Sequence, residues 1–188
     1  MKIAIVFHSP SGTTKQLAHA VAQGAAQPGI AVIQAEIVGA DIVEGRFRNT
    51  DLLHSLSNAD AVLFGSPTYM GGVTAQFKAF ADATGELWEE QRWADKIAAG
   101  FTVGGNISGD QQCTLQYLQV FANQHGMLWA GIDIPGGYDA QERNRLGAQS
   151  GLIAHAPDGD VHETDLLTAH YLGQRVAGLV QQLNSSPA

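Results

Sequence analysis

Ser9, Ser11, Thr13 and Thr14 gather four hydroxyl groups around Gly12, directly after the apolar run of residues 3–7. A helix that starts here would turn successive backbone N–H groups toward one point, and its dipole would favour an anion. Gly12 permits a tight turn and a close approach. Lys15 is the only cation nearby. The chemistry this suits is the grip of a phosphate monoester by neutral donors. The same residues also read as an ordinary Ser/Thr helix cap that binds nothing. Neither G-x-G-x-x-G nor a Gly-Lys-Ser/Thr run occurs in this loop, which argues against NAD or a nucleoside triphosphate held there.

Two later segments have the composition expected beneath a flat ring. Gly65-Ser66-Pro67-Thr68 runs into Tyr69, Met70, Gly71 and Gly72. Tyr69 and Met70 offer aromatic and polarisable surface, and the glycine pair lets backbone come close to a ligand. Thr102, Val103, Gly104, Gly105, Asn106 and Ile107 make a second small, backbone-rich segment. Taken singly, each is also an ordinary strand-to-helix turn or a flexible linker.

The elements that must carry these loops follow from periodicity. Residues 3–7, 61–65 and 97–103 are short apolar runs, the pattern of strands buried on both faces. Residues 30–37 predict a second strand and residues 127–132 a fifth. Leu17, Ala20, Val21, Gly24 and Ala25 recur with helical spacing and stop at Pro28-Gly29. Further helices are predicted over residues 75–83, from near Asp110 to a cap at Gly126, and through Leu172, Val176, Leu179, Val180 and Leu183. Residues 136–159 read as a long glycine-rich loop, and the tail from Asn184 to Ala188 as frayed. Strands alternating with helices imply a doubly wound parallel α/β sheet in one domain, residues 1–188. Such sheets bind ligands beyond the carboxyl ends of their strands, where the three loops fall.

Composition removes other classes. The net charge of −8 opposes nucleic-acid binding. Cys113 is the single cysteine, so no intrachain disulfide is predicted, and the histidines lack metal-site spacing, so no metal is either. No apolar stretch approaches a membrane span, and the first residues lack a secretory leader pattern, which together predict a cytoplasmic protein with no membrane insertion. Charged residues make up 15% of the chain against roughly 25% in soluble domains.

The run Ser9 to Thr14 resembles the phosphate loop of flavodoxins. That resemblance implies FMN as the ligand and a flavodoxin-like five-stranded sheet of order 2-1-3-4-5. It narrows further through Gly65-Ser66-Pro67-Thr68, Gln76-Phe77-Lys78-Ala79-Phe80, Asp82-Ala83-Thr84-Gly85-Glu86-Leu87-Trp88, His125-Gly126-Met127 and Tyr171-Leu172-Gly173. These are similar to the WrbA-like NAD(P)H:quinone oxidoreductases. The family would place the FMN phosphate on Ser9, Pro10, Ser11, Gly12, Thr13 and Thr14. It would place the ring on Pro67, Thr68, Tyr69, Met70, Gly71 and Gly72, on Thr102 to Ile107, and near His125. Trp88 matches an aromatic that lines the substrate pocket. The family carries Arg-Phe where this chain has Tyr69 and Met70, often a second His where Gln124 stands, and a longer segment between strands two and three.

The resemblance implies a hydride passed from NADH or NADPH to FMN, then two electrons passed to a quinone-like acceptor, with His125 and Tyr69 as hydrogen-bond donors at the reacting edge. The alternative is a flavodoxin-type carrier that shuttles electrons between proteins without substrate turnover of its own. Trp88 and Trp93 lie in a polar stretch and read as exposed, which with the low charge predicts a homodimer or, as the family implies, a homotetramer.

Overall fold

The structure is a computed structural model and describes residues 1–185. The chain begins with β1 (Lys2–Phe7), α1 (Thr13–Ala25) and β2 (Ala31–Glu36). A short 3-10 turn then leads into a small hairpin, β3 (Ile42–Val43) and β4 (Arg46–Phe47), followed by α2 (Thr50–Ser57). Next come β5 (Ala61–Pro67), α3 (Ala75–Asp82), α4 (Gly85–Glu89), β6 (Ile97–Gly104) and α5 (Gln111–Gln124). The chain closes with β7 (Leu128–Trp129), β8 (Leu152–His155) and α6 (Glu163–Ser185).

The main sheet runs β2-β1-β5-β6-β7, with β8 also paired to β6, and every pair is parallel. This is the expected flavodoxin-like order. The register sets Phe7 opposite Gly65 and Pro67 opposite Val103, so β1, β5 and β6 end side by side. β5 is buried along its whole length and β6 nearly so, as their unbroken apolar runs require.

Two apolar layers cover the sheet. On one face α1 and α6 pack on Ile3, Ile5, Leu63 and Phe101. They approach closely at glycines: a Cβ at Gly24 would lie 1.8 Å from the His170 carbonyl oxygen, and one at Gly173 would lie 2.1 Å from that of Val21. On the other face α2, α3 and α5 cover Val6, Val62 and Phe64 with an aromatic cluster of Phe47, Phe77, Phe80, Trp93 and Phe121. Trp93 is fully buried, which corrects its reading as an exposed contact residue. Its charged neighbours face water, while its ring stacks 4.4 Å from that of His125.

The fifth strand differs from the sequence expectation. The edge position beside β6 is shared by two pieces, Leu128–Trp129 against Ile97 and Ala98, and Leu152–His155 against Phe101 to Gly104. Residues 130–151 leave the sheet between them. Asp165, almost fully buried, anchors the excursion through a two-pronged bond from Arg145, with Nε to Oδ1 and Nη2 to Oδ2 both at 2.8 Å. Asn144 adds two more ties, its N–H to Thr168 Oγ1 and its Nδ2 to the Ile134 carbonyl. The long glycine-rich loop therefore contains a strand. Asn184 and Ser185 end α6, and the rest of the tail lies outside the described residues. No helix among the described residues is long and apolar enough to cross a membrane.

Candidate functional site

β1 ends where His8 donates its N–H to the Gly65 carbonyl oxygen, and the next residues turn into α1. Gly12 caps the helix in the left-handed conformation (φ 88°), and nothing stands within 4 Å of where a Cβ would be. The N–H groups of Thr13 and Thr14 lie in the first turn and have no intrahelical acceptor. The Ser9 hydroxyl accepts the Lys15 N–H at 2.9 Å, and Ser11 and Thr13 share a hydroxyl contact at 3.0 Å. The Thr14 hydroxyl is buried and without a partner. A buried polar atom left unpaired costs about 1–3 kcal/mol, so a ligand oxygen at this point would relieve a real deficit. Lys15 turns away to Glu36 at 2.7 Å, which leaves the loop to neutral donors.

The second loop is tied at its base. The Thr68 hydroxyl meets those of Thr102 and Thr114, each at 2.8 Å, and its N–H donates to the Val103 carbonyl. Tyr69 and Gly72 then exchange backbone bonds around a two-residue turn, with Met70 at φ 49° and Gly71 at φ 74°. Both central residues take positive φ, as a type I′ turn requires, and Met70 is rarely found so. The turn leaves Met70 fully exposed and Tyr69 half-exposed. Thr74 closes the loop by accepting the Phe77 N–H and so capping α3.

Thr74 also links this loop to the first. Its hydroxyl lies 2.9 Å from His8 Nδ1. Burial lowers the His8 pKa, with Glu36 opposing, which favours the neutral ring, whose Nδ1 can accept the Thr74 proton. The third loop is arranged by buried Gln111, whose Oε1 accepts the Gly109 N–H at 2.7 Å and whose Nε2 donates to the Asn106 carbonyl. His155, at the end of β8, donates from Nε2 to the Gly105 carbonyl at 3.2 Å. Gln16 of α1 holds residues 159 and 161 against the first loop, through the Gly159 carbonyl and the Val161 N–H.

Three of the expected groups thus come together: residues 9–14, 67–72 and 102–107. Two expected residues do not join them. α5 runs back along the sheet, so His125 at its end lies beyond the start of β6, where the Asp95 N–H donates to the Gly126 carbonyl. His125 is buried. Its Nε2 meets the Thr84 hydroxyl at 2.9 Å, its Nδ1 has no partner, and burial lowers its pKa to about 4. It cannot serve as an acid at the loop site of its own chain, which corrects that expectation. Trp88 shares this far end, since Gln91 Nε2 bonds both the Trp88 and the Gln124 carbonyls; it is half-exposed. His8, Thr74, Gln111 and His155 were not singled out from sequence. Only Thr74 carries a legible signal, a Thr directly before a helical run.

The arrangement fits FMN. The first loop offers unpaired N–H groups and an unpaired buried hydroxyl to a phosphate. Gly71, Gly72 and Gly105 stand open, with nothing within 4 Å of an added Cβ, beside the aromatic ring of Tyr69. The comparisons with known proteins agree. Residues 1–134 match the family model described as NADPH-dependent FMN reductase. The chain is 38% identical to Flavodoxin FldP of Pseudomonas aeruginosa (strain UCBPP-PA14) over 98% of this chain and 99% of that protein. It is 36% identical to an NAD(P)H dehydrogenase (quinone) of Archaeoglobus fulgidus, over 97% of this chain and 98% of that one. The solved flavodoxin, WrbA-like protein from Agrobacterium tumefaciens superposes with a TM-score of 0.75 at 36% identity, covering 96% of this chain and 98% of the other. The chain therefore belongs to the NADPH-dependent FMN reductase family and, within the flavodoxin-like fold, to its WrbA-like members.

Proposed function

We propose that this chain is an FMN-dependent NAD(P)H:quinone oxidoreductase acting through the three loops at the carboxyl end of the sheet. The observation that carries the reading is the unpaired Thr14 hydroxyl in a cation-free phosphate cradle, beside two open ring-side loops. FMN, when bound, would supply two-electron redox chemistry between the nicotinamide and the acceptor. The chain's own part is to hold and orient. Residues 9–14 grip the phosphate. Within residues 67–72 and 102–107, the backbone N–H groups of Met70, Gly71, Gly105, Asn106 and Ile107 are the ones left to offer the ring edge, and Tyr69 stands ready as a hydrogen-bond donor there. No acid or base need be buried at the reacting edge, because the open loops admit water.

Titration of the apo-protein with FMN, FAD and riboflavin tests the cradle, and equal affinity for riboflavin would count against it. Anaerobic addition of NADH or NADPH should bleach the flavin, and benzoquinone should restore it within one turnover. The second reading is a flavodoxin-type carrier, favoured by the similarity to Flavodoxin FldP and by the acidic net charge. One-electron reduction that persists, with no bleaching by either nicotinamide, would select it.

The reading includes a cytoplasmic homodimer or homotetramer that takes no nucleic-acid partner. Half-exposed Trp88 lies at the amino end of the sheet, so it would meet a flavin only on a neighbouring copy. Light scattering tests this: a single species of the 19.9 kDa chain mass with full activity would end the oligomer proposal.

A further inference from the structure

The β3–β4 hairpin folds against the first turns of α3. Between them lies a slot of about 310 Å³ lined by Gly39, Ile42, Gly45, Ala75, Gln76 and Ala79. Gln76 supplies its only polar side chain. Ala75 follows Gly72 by three residues, so the slot opens where the ring-side loop ends. Small side chains on both walls suit a flat heterocycle.

The same hairpin carries Arg46 and Arg48. Every other arginine is held by a carboxylate: Arg92 by Glu90, Arg143 by Asp139, Arg145 by Asp165 and Arg175 by Asp133. Arg46 and Arg48 are exposed and have no carboxylate partner among the described residues. Phe47, between them, turns inward onto Phe80 with ring centroids 5.5 Å apart, so strand alternation sets both arginines on the outer side. The hairpin's own acids are Asp41, which accepts from Asn49 Nδ2, and Glu44 at the turn. In a chain of net charge −8, two uncompensated guanidiniums beside an apolar slot complement a ligand that is flat at one end and carries phosphates next to it.

We propose that the slot between the β3–β4 hairpin and α3 receives the adenine ring of the nicotinamide donor, that Arg46 and Arg48 hold its phosphates, and that the nicotinamide thereby reaches the loop of residues 67–72. The inference rests on the quinone-oxidoreductase reading for its donor but not for its ligand chemistry.

ADP is the probe. Calorimetric titration of the FMN-loaded protein should show saturable binding. Arg46→Gln with Arg48→Gln should weaken it about tenfold, the loss of two exposed, solvent-screened charge contacts. Ala79→Trp, which fills the slot, should abolish it, with the flavin spectrum of both variants unchanged. In turnover the arginine variant should raise the KM for the donor about tenfold and leave the KM for benzoquinone unmoved. An equal rise for NADH and NADPH assigns the grip to the pyrophosphate, and a larger one for NADPH to the 2′-phosphate. Absence of ADP binding, ADP binding untouched by both variants, or a rise in the benzoquinone KM instead would overturn the proposal. Slot-dependent ADP binding by a wild-type protein that neither nicotinamide bleaches would leave the slot standing and remove the quinone-oxidoreductase reading.

Discussion

Thr14 separates binding from folding at a single atom. Its hydroxyl is buried and unpaired, so Thr14→Val removes a desolvated group and keeps the shape. The apo-protein should be as stable or up to about 1 kcal/mol more so, while FMN affinity falls by about 1 kcal/mol. Apo-protein melting and FMN fluorescence quenching measure the two effects. His125 makes a different case. Its pKa falls from 6.5 to about 4 on burial, so below 6.5 the unfolded chain binds a proton that the folded chain refuses. Stability is complete above about 6.5, declines as pH falls toward about 4, and levels off below that. His125→Phe should flatten most of this slope in melting curves taken across the window, with His8 supplying a smaller part of the same sign.

Elements decide how firmly the loops are held. α1 carries the proposed phosphate cradle at its start and packs on α6 through Gly24 and Gly173. An added Cβ at Gly173 would drive into the Val21 carbonyl, and backbone cannot yield as a flexible side chain can. Gly173→Ala should cost about 3 kcal/mol in urea unfolding, and FMN affinity should fall with it as α1 shifts. The split fifth strand depends on Asp165. Arg145→Leu leaves that buried carboxylate with the His155 N–H as its remaining bond. The expected loss is about 3 kcal/mol, with new protease cuts within residues 130–151. Intact resistance to proteolysis in that variant would show that the excursion is held elsewhere.

The whole molecule separates two ends. The carboxyl end of the sheet gathers the three loops, while the amino end holds Trp88, His125 and the base of the aromatic cluster. If Trp88 completes a neighbour's site, Trp88→Ala should raise the benzoquinone KM and lower the assembled mass together, and leave FMN affinity unchanged. A raised KM with assembly intact would instead confine Trp88 to its own chain.

The strands, the helices and the loops at residues 9–14, 67–72 and 102–107 were legible in the sequence because each depends on local pattern, while the strand order was implied by the flavodoxin resemblance. Apolar runs mark buried strands, helical spacing marks the covering helices, and clustered hydroxyls beside a glycine mark the start of α1. Tertiary structure alone decided the rest. Trp93 sits among charged residues yet is buried, because a turn aims its ring at Phe64 and His125. His125 is removed from the loops because a helix that begins at one end of a sheet ends at the other. The fifth strand is broken because β6 pairs with two segments that local sequence does not join. The pairing of Arg145 with Asp165 and the freedom of Arg46 and Arg48 are relations between distant residues. No window of sequence contains them, because opposite charges find each other only after the chain has packed.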